Sequence, residues 1–177
     1  MPKLQTKPQI KLIAGLGNPG EEYANTFHNA GFKFVEFLSG NESIWKETDS
    51  FFYFKYEKII LAKTKSFMND SGRSVSKMLH YFNVGPEEII LAHDDSDLTL
   101  GEYKIQFNKG AAGHKGVSSV ISSIKSKEFW RVRIGIRESV NGIPRKKAGD
   151  FVLKKITSTK QKELEKCFSS IKEDLEI

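Results

Sequence analysis

The chain has one cysteine in 177 residues, Cys167, so no disulfide can close within it. A lone thiol fits a reducing compartment. The opening MPKLQTKPQ lacks the apolar core of a secretory leader. No apolar run approaches the ~20 residues that span a bilayer. There is no internal repeat and no low-complexity tract. Familiar catalytic signatures are missing as well. Neither G-x-S-x-G nor H-E-x-x-H occurs, and the histidines at 28, 80, 93 and 114 lack the tight spacing of metal ligands. Ser122-x-x-Lys125 fits S-x-x-K, but it falls mid-helix without the partner motifs. What these absences leave is a soluble cytoplasmic protein. A chain of this length buries roughly 70% of its unfolded surface, so it needs neither metal nor disulfide to fold. One domain over 1–177 is expected, with 1–9 as a short flexible extension.

Acidic residues are scarce in one stretch. Residues 101–147 hold eleven Lys/Arg against Glu102, Glu128 and Glu138, an excess of eight, whereas the whole chain has a net charge of +6. Charge so concentrated attracts polyanions, nucleic acid first among them.

Strand-like and helix-like segments alternate. IKLIAGL (10–16) and EIILAH (88–93) read as buried strands. FFYFKY and KIILAK flank Glu57 and suggest a hairpin. EYKIQF (102–107) and WRVRIGI (130–136) alternate as half-exposed strands do, which puts Arg131 and Arg133 on one face and Val132 and Ile134 on the other. Helical patterns cover 26–39, 69–83, 115–125 and 158–176, the last with a stripe of Leu164, Phe168, Ile171 and Leu175. This order predicts a single α/β domain, a twisted mixed sheet flanked by helices on both faces. In such folds sites form beyond the carboxyl ends of strands.

The first strand runs into G-x-G-x-x-G at Gly15, Gly17 and Gly20. A dinucleotide site would need a helix N-terminus inside that loop and a ribose-binding acid about 20 residues on. Pro19 lacks an N–H, Glu21 and Glu22 repel phosphate, and positions 38–41 look like a helix end. The glycines therefore read as a tight turn that holds Asn18 at the strand tip. Further polar residues stand at element ends: His28 in NTFHNAGF, Asn69 after SFM, and Asp94 after EIILAH. Taken singly, each is a cap, a turn or a solvated acid.

Taken in order, GLGNPGEEYANTFHNAGF, SFMNDSG, AHDDSDL and RVRIGI resemble bacterial-type peptidyl-tRNA hydrolases over about residues 10–153. The resemblance implies a monomeric α/β enzyme, without cofactor or metal, that cleaves the ester between a peptide and the 3′ ribose of tRNA. It implies His28 as catalytic base and Asp94 as its supporting acid. It gives Asn18 and Asn69 substrate-positioning roles. Tyr23, Phe67, Met68, Lys104, His114, Lys115 and Arg133 correspond to positions that contact the acceptor stem and 3′ end. Arg131, Lys109 and Lys115 add basic side chains for the backbone, and Arg145, Lys146 and Lys147 read as general surface charge. The chain departs from the family in one loop. A glycine-rich run ending in G-G-H-N-G is usual; here it is KGAAGHKG, with Lys115 in place of an asparagine. Lysine binds phosphate as a point charge but accepts no hydrogen bond. Alanine at 111 and 112 resists positive φ and is expected to stiffen the loop.

If Thr26 caps its helix, His28 sits in the first turn, where the dipole disfavours imidazolium. A hydrogen-bonded Asp94 favours it. Near-balance would leave a neutral base. The rivals are an RNA-binding member of the same fold without turnover, as in some plant chloroplast proteins that act in splicing, and a metal nuclease built on Asp94, Asp95 and Asp97.

Overall fold

The computed structural model describes residues 9–40, 43–138, 149 and 151–177. The expected N-terminal extension, apart from Gln9, and the basic 145–147 run lie outside these. Seven strands form one sheet in the order β2-β3-β4-β1-β5-β7-β6. They are β1 (Leu12–Gly15), β2 (Lys46–Glu47), β3 (Phe51–Tyr56), β4 (Ile59–Thr64), β5 (Ile89–Thr99), β6 (Tyr103–Phe107) and β7 (Trp130–Arg137). β1 is parallel to β4 and β5, and β5 to β7, while the β2–β3, β3–β4 and β6–β7 pairs are antiparallel. The sheet is mixed, as its sequence pattern predicts. Its central strand is wholly apolar because both faces are covered.

The α-helices among the described residues are α1 (Glu21–Ala24), α2 (Ala30–Ser39), α3 (Ser71–Phe82), α4 (Lys115–Ile124) and α5 (Ser158–Leu175). One core holds Ile13, Ile90 and Val132 of the sheet with Phe34 of α2 and Leu164, Phe168 and Ile171 of α5. The other holds Leu12, Leu91 and Ala62 with Val75 and Met78 of α3 and Val117 and Val120 of α4. Helices thus cover both faces, and the stripe read in α5 is its buried side. Phe168 stacks at 5.5 Å on Phe34 and 5.6 Å on Phe37.

Two glycines explain how α2 reaches the sheet. A Cβ on Gly31 would lie 2.2 Å from the Ala92 carbonyl oxygen, and one on Gly15 would lie 2.4 Å from the Gly31 oxygen. Part of the G-x-G-x-x-G pattern thus serves strand–helix contact. Gly17 likewise makes room for Asn29, whose Oδ1 would meet its Cβ at 2.9 Å.

The helix expected over 26–39 is divided. Phe27–Asn29 form a 3-10 turn and α2 begins at Ala30. Thr26 does not cap it: the Thr26 hydroxyl donates to the Tyr23 carbonyl, and the His28 N–H donates to the Val152 carbonyl at 2.8 Å. The Thr26–Lys155 bridge and bonds from Asn25 to Ile156 hold the 151–156 segment beside His28.

Candidate active site

The strand read over 88–93 extends further than its apolar run. β5 runs on through Asp94, Asp95 and Asp97, paired with β7 through Asp95 and, after an irregularity, again at Thr99. Carboxylates stay in the strand because each of the first two finds a partner. Asp94 is 2% exposed and faces two imidazoles, and Asp95 accepts from Arg133 Nε at 2.5 Å.

Asp94 Oδ1 lies 2.9 Å from His28 Nδ1 and 2.9 Å from His114 Nε2. Burial raises the Asp94 carboxyl, but His114 and then His28, through charge and hydrogen bonds, hold it well below the usual carboxylate range. An ionised carboxylate only accepts, so both ring nitrogens facing it carry protons. For His114 a second bond agrees: its Nδ1 accepts the Val117 N–H at 3.2 Å, capping α4. For His28 the consequence is chemical. With Nδ1 protonated, the neutral ring keeps the Nε2 lone pair, and Nε2 has no hydrogen-bond partner among the described residues. Burial lowers the His28 imidazolium, the Asp94 hydrogen bond and charge raise it, and Lys115 lowers it again; the net is a value above the ordinary 6.5. The near-balance expected from the sequence therefore tips toward the carboxylate, because the helix cap that was to oppose it is absent.

His28, Asp94 and His114 also place three potential metal-ligand atoms within 4.8 Å of one another. Sequence spacing could not show this, since the three lie on separate elements. The Val117 N–H bears on how they are used. It requires a lone pair on His114 Nδ1, which leaves an N–H, not a lone pair, on Nε2 toward Asp94. The ring orientation fits a hydrogen-bonded carboxylate.

A cleft of about 660 Å³ opens over this cluster. Asn18, His28, Phe67, Asn69, Asp94, the 111–115 loop and Val152–Leu153 are among its walls. Asn18 is held on three sides. Its backbone N–H donates to Asn29 Oδ1 at 2.8 Å, its carbonyl accepts from Asn29 Nδ2 at 2.9 Å, and its Oδ1 accepts the Met68 N–H at 2.8 Å. The Met68 bond fixes the amide's orientation and leaves Nδ2 as its unpaired donor. Asn29 was missed by sequence reasoning, although it stands in NTFHNAGF. The available signal was a polar residue beside His28 facing a glycine that has to be small. Asn69 sits exposed in the 3-10 turn Met68–Asp70, one turn before α3.

The other predicted contacts divide. Phe67 is 54% exposed at the cleft, with Tyr23 edge-on at 6.0 Å behind it. Lys115 is exposed at the cleft, and Lys104 and Lys109 are exposed outside it. Three of these residues are less available than the sequence suggests. Met68 lines the cleft but is 3% exposed and packs with Leu16 and Val117 in the core, and its N–H holds Asn18. Arg133 is spent on buried Asp95 and on Gln106 Oε1 at 3.0 Å, not left free for phosphate. His114 lines the cleft but is half-buried, with its Nε2 bonded to Asp94. Arg131 also fails as a surface contact: it shares a face with Arg133 as alternation requires, but it is 1% exposed.

An α/β sheet with an oriented imidazole, a buried carboxylate behind it and amides at a cleft is an arrangement suited to general-base hydrolysis. The chain belongs to the peptidyl-tRNA hydrolase family, whose model matches residues 12–177. It is 34% identical over 174 residues to the peptidyl-tRNA hydrolase of Dichelobacter nodosus, which spans 94% of this chain and 90% of that one. With the Lactiplantibacillus plantarum peptidyl-tRNA hydrolase it shares 39% over 155 residues, 84% of this chain and 81% of the other. The fold is that of the Acinetobacter baumannii peptidyl-tRNA hydrolase crystal structure, with a TM-score of 0.81 at 30% identity over 97% of this chain and 89% of that one.

Proposed function

We propose that this protein hydrolyses the ester between an N-blocked peptide and the 3′ ribose of tRNA, with His28 as general base. The observation that carries the assignment of roles is the His28 ring. Its Nδ1–H is tied to Asp94, and its Nε2 lone pair is left at a cleft large enough for the end of a substrate. His28 Nε2 takes a proton from water as the oxygen attacks the ester carbonyl. Asp94 stabilises the imidazolium that forms. Collapse of the tetrahedral intermediate breaks the bond to the ribose oxygen, which takes the proton back from Nε2. The products are a peptide carboxylic acid and a free 3′-hydroxyl. General-base assistance of this kind contributes roughly 10² to 10⁴-fold. Asn18 Nδ2 and the Asn69 amide are the donors for the peptide carbonyl or the developing oxyanion. A neutral amide suits a peptide bond and gains nothing from a free ammonium.

Phe67 provides an apolar wall, and Tyr23 supports it. Lys104, Lys109 and Lys115 are the exposed cations for the backbone near the acceptor stem, which gives affinity with little sequence preference. We place the enzyme in the cytoplasm as a monomer. Among the described residues no helix is long and apolar enough to cross a membrane. An RNA-binding protein without turnover needs no base held in one tautomer by a buried acid. The test is release of N-acetyl-aminoacyl groups from tRNA by wild type and by His28→Ala. Wild-type turnover with a loss of at least 10² in the variant is expected. No turnover above background by wild type defeats the reading.

A further inference from the structure

Arg131 is among the largest fully buried side chains in the protein, 1% exposed in the middle of β7. Burying a guanidinium costs several kcal/mol unless a carboxylate answers it. The nearest acid on this face, Asp95, is already paired with Arg133. Arg131 makes no ion pair among the described residues, and its Nη1 is buried without a hydrogen-bond partner. Its one bond is from Nη2 to the Gly110 carbonyl, at 2.8 Å.

Gly110 opens the loop that ends in His114 and Lys115. That loop is under strain. Ala112 has φ of +49 and Gly113 of +81. A left-handed alanine costs roughly 1–2 kcal/mol and persists only where its surroundings over-determine it. The loop's fixed points are few. At its end, the His114 ring is held between the Asp94 carboxylate and the Val117 N–H. At its start, Arg131 holds the Gly110 carbonyl, beside the Asn108 N–H bonded to the Phe129 carbonyl at 3.2 Å and Ala111 packed against the core. Between them runs one turn bond, from the His114 N–H to the Ala111 carbonyl at 3.0 Å.

We propose that Arg131 is a positioning residue for the reaction. From beneath the sheet face it pins the Gly110 carbonyl, and so sets the loop that carries His114 to Asp94 and Lys115 to the cleft. This rests on the hydrolase reading for its kinetic part, but its structural part does not. Without the guanidinium the Gly110 carbonyl loses its donor and the loop relaxes toward a conformation that alanine prefers. His28 and Asp94 stand on other elements and keep their own contact.

Arg131→Met and Arg131→Lys test this with two readouts, hydrogen exchange of the 110–116 amides and the split of kcat/KM on N-acetyl-aminoacyl-tRNA. For Arg131→Met, loop exchange is expected to rise at least tenfold with β1 and β5 amides unchanged. KM is expected to rise about tenfold while kcat stays within threefold. Lysine, shorter and with a single ammonium, is expected to restore part of both. Should the methionine variant fail to fold, the lysine variant decides alone: faster loop exchange over an unchanged sheet supports the anchor. Wild-type loop exchange and KM in Arg131→Met (or, where that variant does not fold, in Arg131→Lys), or exchange that accelerates equally through loop and sheet in either variant, overturns it. An inactive wild type defeats the hydrolase reading and leaves the exchange test standing.

Discussion

Asp94→Asn isolates what the buried carboxylate does for His28. The substitution keeps the shape of the side chain, and an asparagine Oδ1 still accepts from His28 Nδ1 and His114 Nε2, so the tautomer and ring position survive. What disappears is one negative charge at hydrogen-bond distance, 2.9 Å, in a place 2% exposed. In the wild type this charge outweighs burial and Lys115, and His28 titrates above 6.5. With the charge gone, burial and Lys115 act unopposed, so the imidazolium is destabilised and the value falls below 6.5. An opposite charge so close is worth roughly 1–3 pH units, or about 1.4–4 kcal/mol. The assay is the pH dependence of kcat/KM, which reports the free enzyme. Its acid limb belongs to the base, so the limb lies above 6.5 in the wild type and moves down by that amount in the variant. On the plateau the rate still falls, on the order of 10²-fold, because the imidazolium formed in the transition state has lost its counter-charge. An acid limb that stays in place, or that rises, refutes the assignment of Asp94 as the group that tunes His28.

Three further outcomes follow from the same contacts. Asn29→Ala leaves the buried N–H and carbonyl of Asn18 without partners, each worth roughly 1–3 kcal/mol; a clear drop in the thermal midpoint by circular dichroism is expected, and an unshifted midpoint would show that the clamp is dispensable. His93 is fully buried, and burial first, then His114, hold its value well below 6.5. A depressed histidine binds its proton more weakly folded than unfolded, so its share of stability is present above 6.5 and is lost as pH falls below it. Urea titrations of His93→Gln from pH 7 to 5 should show a shallower acid-side loss than wild type, and equal slopes would remove His93 from the account. Lys104→Ala should flatten the dependence of log KM on log salt by roughly 0.7–0.9, the share of one phosphate contact; an unchanged slope places Lys104 outside the RNA footprint.

The elements most easily read in the sequence were those whose burial is decided locally. The apolar run of β1, the β3–β4 hairpin and the stripe of α5 depend on their own side chains, and they formed as the pattern required. The difficulty lay wherever a polar residue was buried because something distant answered it. The strand read over 88–93 stops short of Asp94 and Asp95, since acids near one another normally face water. They remain in β5 because imidazoles from residues 28 and 114 and a guanidinium from residue 133 converge on them, and separations of 20 to 66 positions leave no trace in a local pattern.

Arg131 carries the same point further. Strand alternation assigned it correctly to the face of Arg133, but alternation says which side chains share a face and not what lies over that face. The loop that opens at Gly110 lies against it, and Arg131 supplies the donor for the loop's first carbonyl. A cation read as a contact for RNA thus becomes part of the frame that presents other groups to RNA. The charge excess of residues 101–147 has to be divided accordingly. Arg131 goes to the interior, Arg133 is paired with Asp95, and Lys104, Lys109 and Lys115 remain for a polyanion. Net charge counted along a sequence overstates the charge a ligand meets, by the number of cations that the fold has already used.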